Sequence, residues 1–274
     1  NKGWDSISID FSSFDTRNVI DMENMFRGSN INSLNLSHFN TSKTTTMAEM
    51  FRDTSATSIN VSGFDTTNVL YMYNMFSGAQ NIINLDLSNF HTPKVQNMHS
   101  MFMETKHLKN LNISNFDTAN VTNMSKMFHE ANSIETLDLS HFNTSNVTAM
   151  DSMFQGAWYL KNLNISNFNT SKVKYMRRMF FYSFMQSSDS VLDISSFDTR
   201  NVISMENMFD YSLVRKIYSS NNFITNAISP TEQLFSNNTN LVGGNGTTFD
   251  PAHVTKEYAR IDTPGTPGYF TLKP

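Results

Sequence analysis

D-T-A-N-V-T-N-M-S-K-M-F-H-E-A-N-S-I-E-T-L-D-L, residues Asp117 to Leu139, is the stretch that decides how this 274-residue chain folds, because the rest of the chain rewrites it. Its Met-Phe pair recurs as Met25-Phe26, Met50-Phe51, Met75-Phe76, Met101-Phe102, Met127-Phe128, Met153-Phe154, Met179-Phe180 and Met208-Phe209. The intervals between successive phenylalanines are 25, 25, 26, 26, 26, 26 and 29 residues. Self-similarity at a fixed period of this length marks a solenoid, in which each repeat touches only its neighbours.

Two patterns alternate within each repeat. The first opens on an invariant threonine (Thr16, Thr41, Thr66, Thr92, Thr118, Thr144, Thr170 and Thr199), followed in one repeat by Pro93. Threonine then proline fits an N-cap and first helical residue. Apolar residues follow, as in Val121, Met124, Met127 and Phe128, and this spacing predicts a helix of about three turns. Gly28, Gly78 and Gly156 lie two places past Met-Phe, where a left-handed residue would end it. The second pattern is a period of two: Leu34 and Leu36, Ile59 and Val61, Leu85 and Leu87, Leu111 and Ile113, Leu137 and Leu139, Leu163 and Ile165, Leu192 and Ile194. Each pair brackets an acid or its amide, and a serine follows, which predicts half-buried strands.

One strand and one crossover per repeat force the strands to be parallel. A period in the range of roughly 20–29 residues then points to an α/β leucine-rich-repeat solenoid. Strands stack about 4.8 Å apart whereas helices need about 8–10 Å, so the helices should fan out on a convex face with the strands on the concave one. Residues 1–240 are expected to form about nine repeats, the last degenerate, and the Gly- and Pro-rich residues 241–274 a cap. Trp4, Ile7, Ile9 and Phe11 are expected in an opening strand whose free edge needs cover. Thr44 and Thr57, set where valine and a large aliphatic residue are usual, should make the second repeat the softest.

The motif L-D-L-S-x-F-D/N-T-S-N-V-x-x-M-x-x-M-F, over roughly residues 7–209, resembles the BspA-like leucine-rich-repeat surface proteins of Gram-positive bacteria and mycoplasmas. The ending from Leu241 to Phe270 is similar to the segment that closes such arrays. The resemblance implies a secreted, cell-wall-attached bacterial surface protein that binds host extracellular matrix protein, mucin or other cells. No export signal or wall-sorting tail is visible in this sequence, and a start at Asn1 suggests a segment of a longer chain, expected to be monomeric.

Composition narrows the alternatives. A net charge of −4 gives no electrostatic reason to expect nucleic acid. The chain has no cysteine, hence no disulfide scaffold, and no apolar run long enough to span a bilayer. Sixteen of the 18 methionines form M-x-x-M pairs, a spacing able to offer thioethers to copper(I). They share a face with valine and phenylalanine, so we assign them to the core and expect no metal. His38 and His141 share a repeat slot but lie too far apart for one ion, and His91, between Asp65 and Asp117, reads as part of a solvated charge ladder. No catalytic constellation and no cofactor site separates itself from the repeat background.

Two surfaces remain. Around the sixth and later repeats, Trp158, Tyr159, Lys161, Tyr175, Arg177, Arg178, Phe181, Tyr182 and Tyr211 cluster in sequence, the residue types favoured at binding hot spots. Phe181 and Phe184 could equally plug the lengthened interval at 181–190. The second surface is the near-constant strand ladder, with Asp86, Asn112 and Asp138, which suits a repetitive glycan or a spacer rod whose polar face satisfies only itself. Adhesion through the aromatic cluster is the expected function, with the spacer and the glycan ladder as alternatives.

Overall fold

The computed structural model describes residues 9–186 and 189–274; Trp4 and Ile7 lie outside them. The strands fall where period two placed them: β1 (Ser33–Asn35), β2 (Ser58–Asn60), β3 (Asn84–Asp86), β4 (Asn110–Asn112), β5 (Thr136–Asp138), β6 (Asn162–Asn164) and β7 (Val191–Asp193). The central leucine or isoleucine of each points inward and its neighbours mostly face water. β8 (Lys216–Ser219) and β9 (Phe270–Leu272) complete the set, and every strand pairing is parallel.

The convex helices are not there. Among the described residues the only helical element is a 3-10 turn at Lys256–Tyr258. The segment expected to be helical is instead a flat run of turns whose backbone bonds alternate in direction. In the third repeat the N–H groups of Met75, Ser77 and Ala79 donate to the carbonyls three residues back, Met72, Asn74 and Phe76. Those of Met72, Asn74, Phe76 and Gly78 donate to Asn97, His99, Met101 and Met103 of the next repeat, at 2.8–3.2 Å. A short helix would have been marginal alone, whereas the flat run bonds these N–H groups and keeps the rungs thin. Thr92-Pro93 is accordingly the start of a β-turn closed by Val95 N–H on the Thr92 carbonyl, with proline at its second position. The buried residues Thr118, Val121, Met124 and Met127 are spaced by three, not 3.6, which matches bonds of i to i−3.

The left-handed residues were correctly placed but end no helix. Gly28, Gly78 and Gly156 have φ of 64–71°, and a second left-handed position lies four residues earlier in each rung, as at Asn24 and Asn74. The Met-Phe rings Phe26, Phe51, Phe76, Phe102, Phe128, Phe154, Phe180 and Phe209, continued by Phe235 of Leu234-Phe235, form one stack with steps of 5.3–5.8 Å. Helices at about 8–10 Å could not fit those steps, so the wedge that was to make the strand side concave is missing. The molecule is a parallel β-solenoid.

Spreading occurs on the strand side instead. β1–β2, β3–β4, β5–β6 and β7–β8–β9 are hydrogen-bonded sets with seams between them. One slot just after each strand follows this alternation. At joined rungs the Nδ2 groups of Asn115 and Asn167 donate to the carbonyls of Ser88 and Ser140; between β1 and β2 the slot is Gly63, where any Cβ would collide with the Ser37 carbonyl. At seams the bond shifts one residue back, from Asn89, His141 and Ser196 to Val61, Ile113 and Ile165.

The invariant threonines are buried staples, not N-caps. Thr144 Oγ1 donates to the Asn169 carbonyl at 3.0 Å and accepts the Asn169 N–H at 2.8 Å. Thr41 and Thr170 hold Asp65 and Asp198 in the same two-bond fashion. Thr44, out of consensus in the second repeat, is buried with its hydroxyl on the Val19 carbonyl. Of the sixteen paired methionines all but Met25 are buried, so the core assignment holds. At the far end β9 covers the open side of β8, Tyr269 packs edge-on against Phe235, and Lys273 reaches Asp193 at 2.6 Å. The Asp262 carboxylate ties the closing loops together. Burial opposes its charge, but bonds from Thr247, Asn245 and Gly268 outweigh that and hold its pKa below the usual value.

Two outcomes follow. Far-UV circular dichroism should show turn and strand signal without the double minimum of a helix; a helical spectrum would restore the leucine-rich-repeat geometry. Thr144→Val should lower the unfolding free energy by about 1–3 kcal/mol by stranding a donor and an acceptor, whereas Thr144→Ser should cost under about 1 kcal/mol.

Candidate partner-binding edge

The left-handed slot two residues past Met-Phe runs down the turn edge of the solenoid. It holds Gly28, Asp53, Gly78, Glu104, Glu130 and Gly156, then Tyr182 and Tyr211. The tyrosines keep φ at 54° and 56°, a conformation costing a side chain with a Cβ about 1–2 kcal/mol. Both rings are exposed and stack at 4.7 Å with planes 6° apart. Half-buried Phe181 meets both edge-on, and the Arg178 guanidinium, itself on a left-handed residue, lies 5.9 Å from the Phe181 ring.

The other sequence-selected residues divide into three groups. Tyr175 sits in the one-residue bridge column that runs from Asp21 to Ser204, and Arg177 lies over its ring at 5.0 Å while pairing with Asp151 at 2.9 Å. Trp158 and Tyr159 are exposed, and the lengthened interval reaches them through Met185 N–H on the Trp158 carbonyl. Lys161 is elsewhere: it pairs with Glu135 at 2.9 Å on the strand side. Of the two candidate plugs only Phe184 is one, fully buried beside Phe180.

Beneath the tyrosine pair lies a residue that sequence reading missed. Asp210 is buried, its carbonyl accepting Tyr182 N–H and its carboxylate accepting Ser236 N–H at 2.8 Å. Burial, only partly offset by Ser236, raises its pKa to about 6. Its slot is otherwise filled by residues as different as Arg27, Ser77, Met103 and Gln155, so no repeat signal marks it.

On the strand side Asp86, Asn112 and Asp138 each accept the N–H of the serine two residues on, at 3.0, 3.3 and 2.9 Å. These bonds, from Ser140 first, hold the Asp138 pKa below its ordinary value. His38 and His141 are staples to the carbonyls of Phe11 and Ile113. His91 bonds through Nδ1 to the Asn89 carbonyl. Burial, with Lys126 nearby, pushes the pKa of His99 and His129 down, so both are neutral at pH 7. Among the described residues no group of three or more histidines and carboxylates is arranged to hold a metal, and no helix is long and apolar enough to cross a membrane.

A regular stack of short parallel strands and turns, with one decorated edge, defines a β-solenoid repeat protein. The family model described as Mycoplasma protein of unknown function, DUF285, matches residues 2–111, 81–190, 104–216 and 161–261, and the chain belongs to that family. The curated proteins give no match.

The carboxyl of Asp210 titrates near 3.8 when unfolded and near 6 when folded, so the folded state holds the proton more tightly. Its contribution is fully present below about pH 4 and is lost as pH rises through about 6. The stability difference between the native chain and Asp210→Asn should therefore change by about 2–3 kcal/mol between pH 4 and pH 7. Parallel pH profiles for the two proteins would refute the buried acid.

Proposed function

We propose that this chain is the non-enzymatic repeat region of a BspA-like bacterial surface protein, secreted and wall-attached, that adheres to host matrix protein, mucin or other cells through its tyrosine edge. The observation that carries this reading is the Tyr182–Tyr211 stack. Two bulky side chains occupy a left-handed slot that glycine fills in three other rungs, and they do so with their rings in water. Strain kept at an exposed site argues for a role outside the fold, and rigid aromatics beside arginine are what protein interfaces favour. Exposed Trp158, Tyr159 and Tyr175, with Arg177 over the Tyr175 ring, offer further aromatic contacts on the later rungs, and weak contacts of this kind add through multivalency.

The spacer alternative draws support from the strand ladder, whose Asp and Asn oxygens are largely engaged by their own backbone. The same engagement weighs against a glycan held by Asp86, Asn112 and Asp138.

Tyr182→Gly with Tyr211→Gly separates the readings. Relief of the two backbones, together about 2–4 kcal/mol, roughly offsets the loss of three aromatic pairs at about 0.5–1.5 kcal/mol each, so the melting temperature should barely move. Binding to immobilised matrix protein or mucin should fall at least about tenfold, as for an interface hot spot. Unaltered binding removes the edge from consideration, and a native chain with no affinity for matrix or mucin leaves the spacer.

A further inference from the structure

The seam between β4 and β5 differs from the others. No Cα of β4 lies within 8 Å of any in β5, whereas the strands at the β2/β3 and β6/β7 seams do come that close. Hydrogen-bonded neighbours would stand about 4.8 Å apart. The opening is a groove of about 620 Å³ floored by half-buried Leu111; the β6/β7 seam has a groove of about 600 Å³ over half-buried Leu163, but its strands stay closer, and the counterparts in β1, β2, β3 and β5 are buried.

The backbone of both edges is unspent. Successive residues of a strand aim their N–H and C=O groups to opposite sides. β4 uses Asn110 and Asn112 toward β3, which leaves Leu111 directed at the seam. β5 uses Leu137 toward β6, with Glu135 and Leu139 bonded on the same side, which leaves Thr136 and Asp138 directed at the seam. No backbone bond joins the two strands. The seam is laced by side chains at its two ends, by His141 on the Ile113 carbonyl and by Ser133 Oγ donating to the Lys106 carbonyl at 2.7 Å.

We propose that this seam captures an extended peptide from another protein as an inserted strand between β4 and β5. Two free edges with no Cα pair within 8 Å stand more than one strand spacing of about 4.8 Å apart, and main-chain bonding to a free sheet edge is a recognised mode of peptide binding. The inserted segment carries an aliphatic residue facing Leu111 and Leu137 between polar neighbours. Glu135 is paired with Lys161, which leaves Asp86 and Asp138 against Lys109, so a lysine or arginine of the peptide lies beside Asp138. The site is separate from the tyrosine edge and stands or falls independently of it.

The probe is a synthetic peptide copying residues 107–115 with lysine in place of Asn112, H-L-K-N-L-K-I-S-N, added to the full chain while amide hydrogen exchange is followed. Protection of Leu111, Thr136 and Asp138 should rise at least about tenfold at saturation, and the same peptide N-methylated at alternate amides should give no protection. Thr136→Pro removes one seam-facing N–H at the first residue of a strand, where proline is tolerated, and leaves the β5–β6 ladder intact. It should weaken the peptide about fivefold, the worth of one hydrogen bond, at nearly unchanged melting temperature. Unchanged exchange at millimolar peptide overturns the proposal, as does equal binding of the N-methylated peptide. Protection induced by soluble mucin glycan but not by peptide overturns it in favour of a carbohydrate groove.

Discussion

Every other feature of the molecule depends on backbone bonding from one rung to the next on the turn side. The N–H of Phe76 reaches the carbonyl of Met101, 25 residues on, and the same bond recurs from Phe26, Phe51, Phe102, Phe128 and Phe154. It fixes the rung spacing, and the rung spacing decides what can be packed inside. Phenyl rings at 5.3–5.8 Å lie face to face in one stack, and the methionines fill the irregular space beside them. Threonine hydroxyls and the Asn or His slot close the remaining carbonyls. Little polar backbone is left to water in the interior, so the rungs need no helix.

The opposite side follows a different repeat. The turn side repeats at every rung, while the strand side repeats at every second one, opening at β2/β3, β4/β5 and β6/β7. The alternation is carried by a single slot that bonds to Ser88 or Ser140 where rungs join and to Val61, Ile113 or Ile165 where they part. The unit of the strand face is thus a pair of rungs. Departures from regularity, the Tyr182–Tyr211 stack and the β4/β5 opening, stand out because the background is so uniform. A strained residue costs stability wherever it lies, and at Tyr182 and Tyr211 it carries an exposed ring.

Much of this was legible in the residues. The period, the parallel strands, the buried Met-Phe pairs and the left-handed glycines follow from spacing and side-chain chemistry, and the family match agrees with the repeat reading. The turn run was misread because threonine, proline and apolar residues three apart suit a helix start as well as a β-turn. The signal that distinguishes them was present: Asn24 with Gly28 and Asn74 with Gly78, two residues tolerant of left-handed backbone four apart, which no helix interior accepts. Lys161 was grouped with the aromatics by sequence proximity, although the chain turns from edge to strand face between Tyr159 and Lys161. Asp210 left no trace because its slot varies freely.

The sequence by itself determined the repeat, the strand direction and which side chains are core, because these depend only on period and polarity. Only the tertiary structure decided between helix and flat turns, since the deciding bonds run between residues about 25 apart and have no local signature. The same holds for the parting of β4 from β5 and the meeting of Tyr182 with Tyr211, because each depends on how neighbouring rungs register and not on what either rung contains.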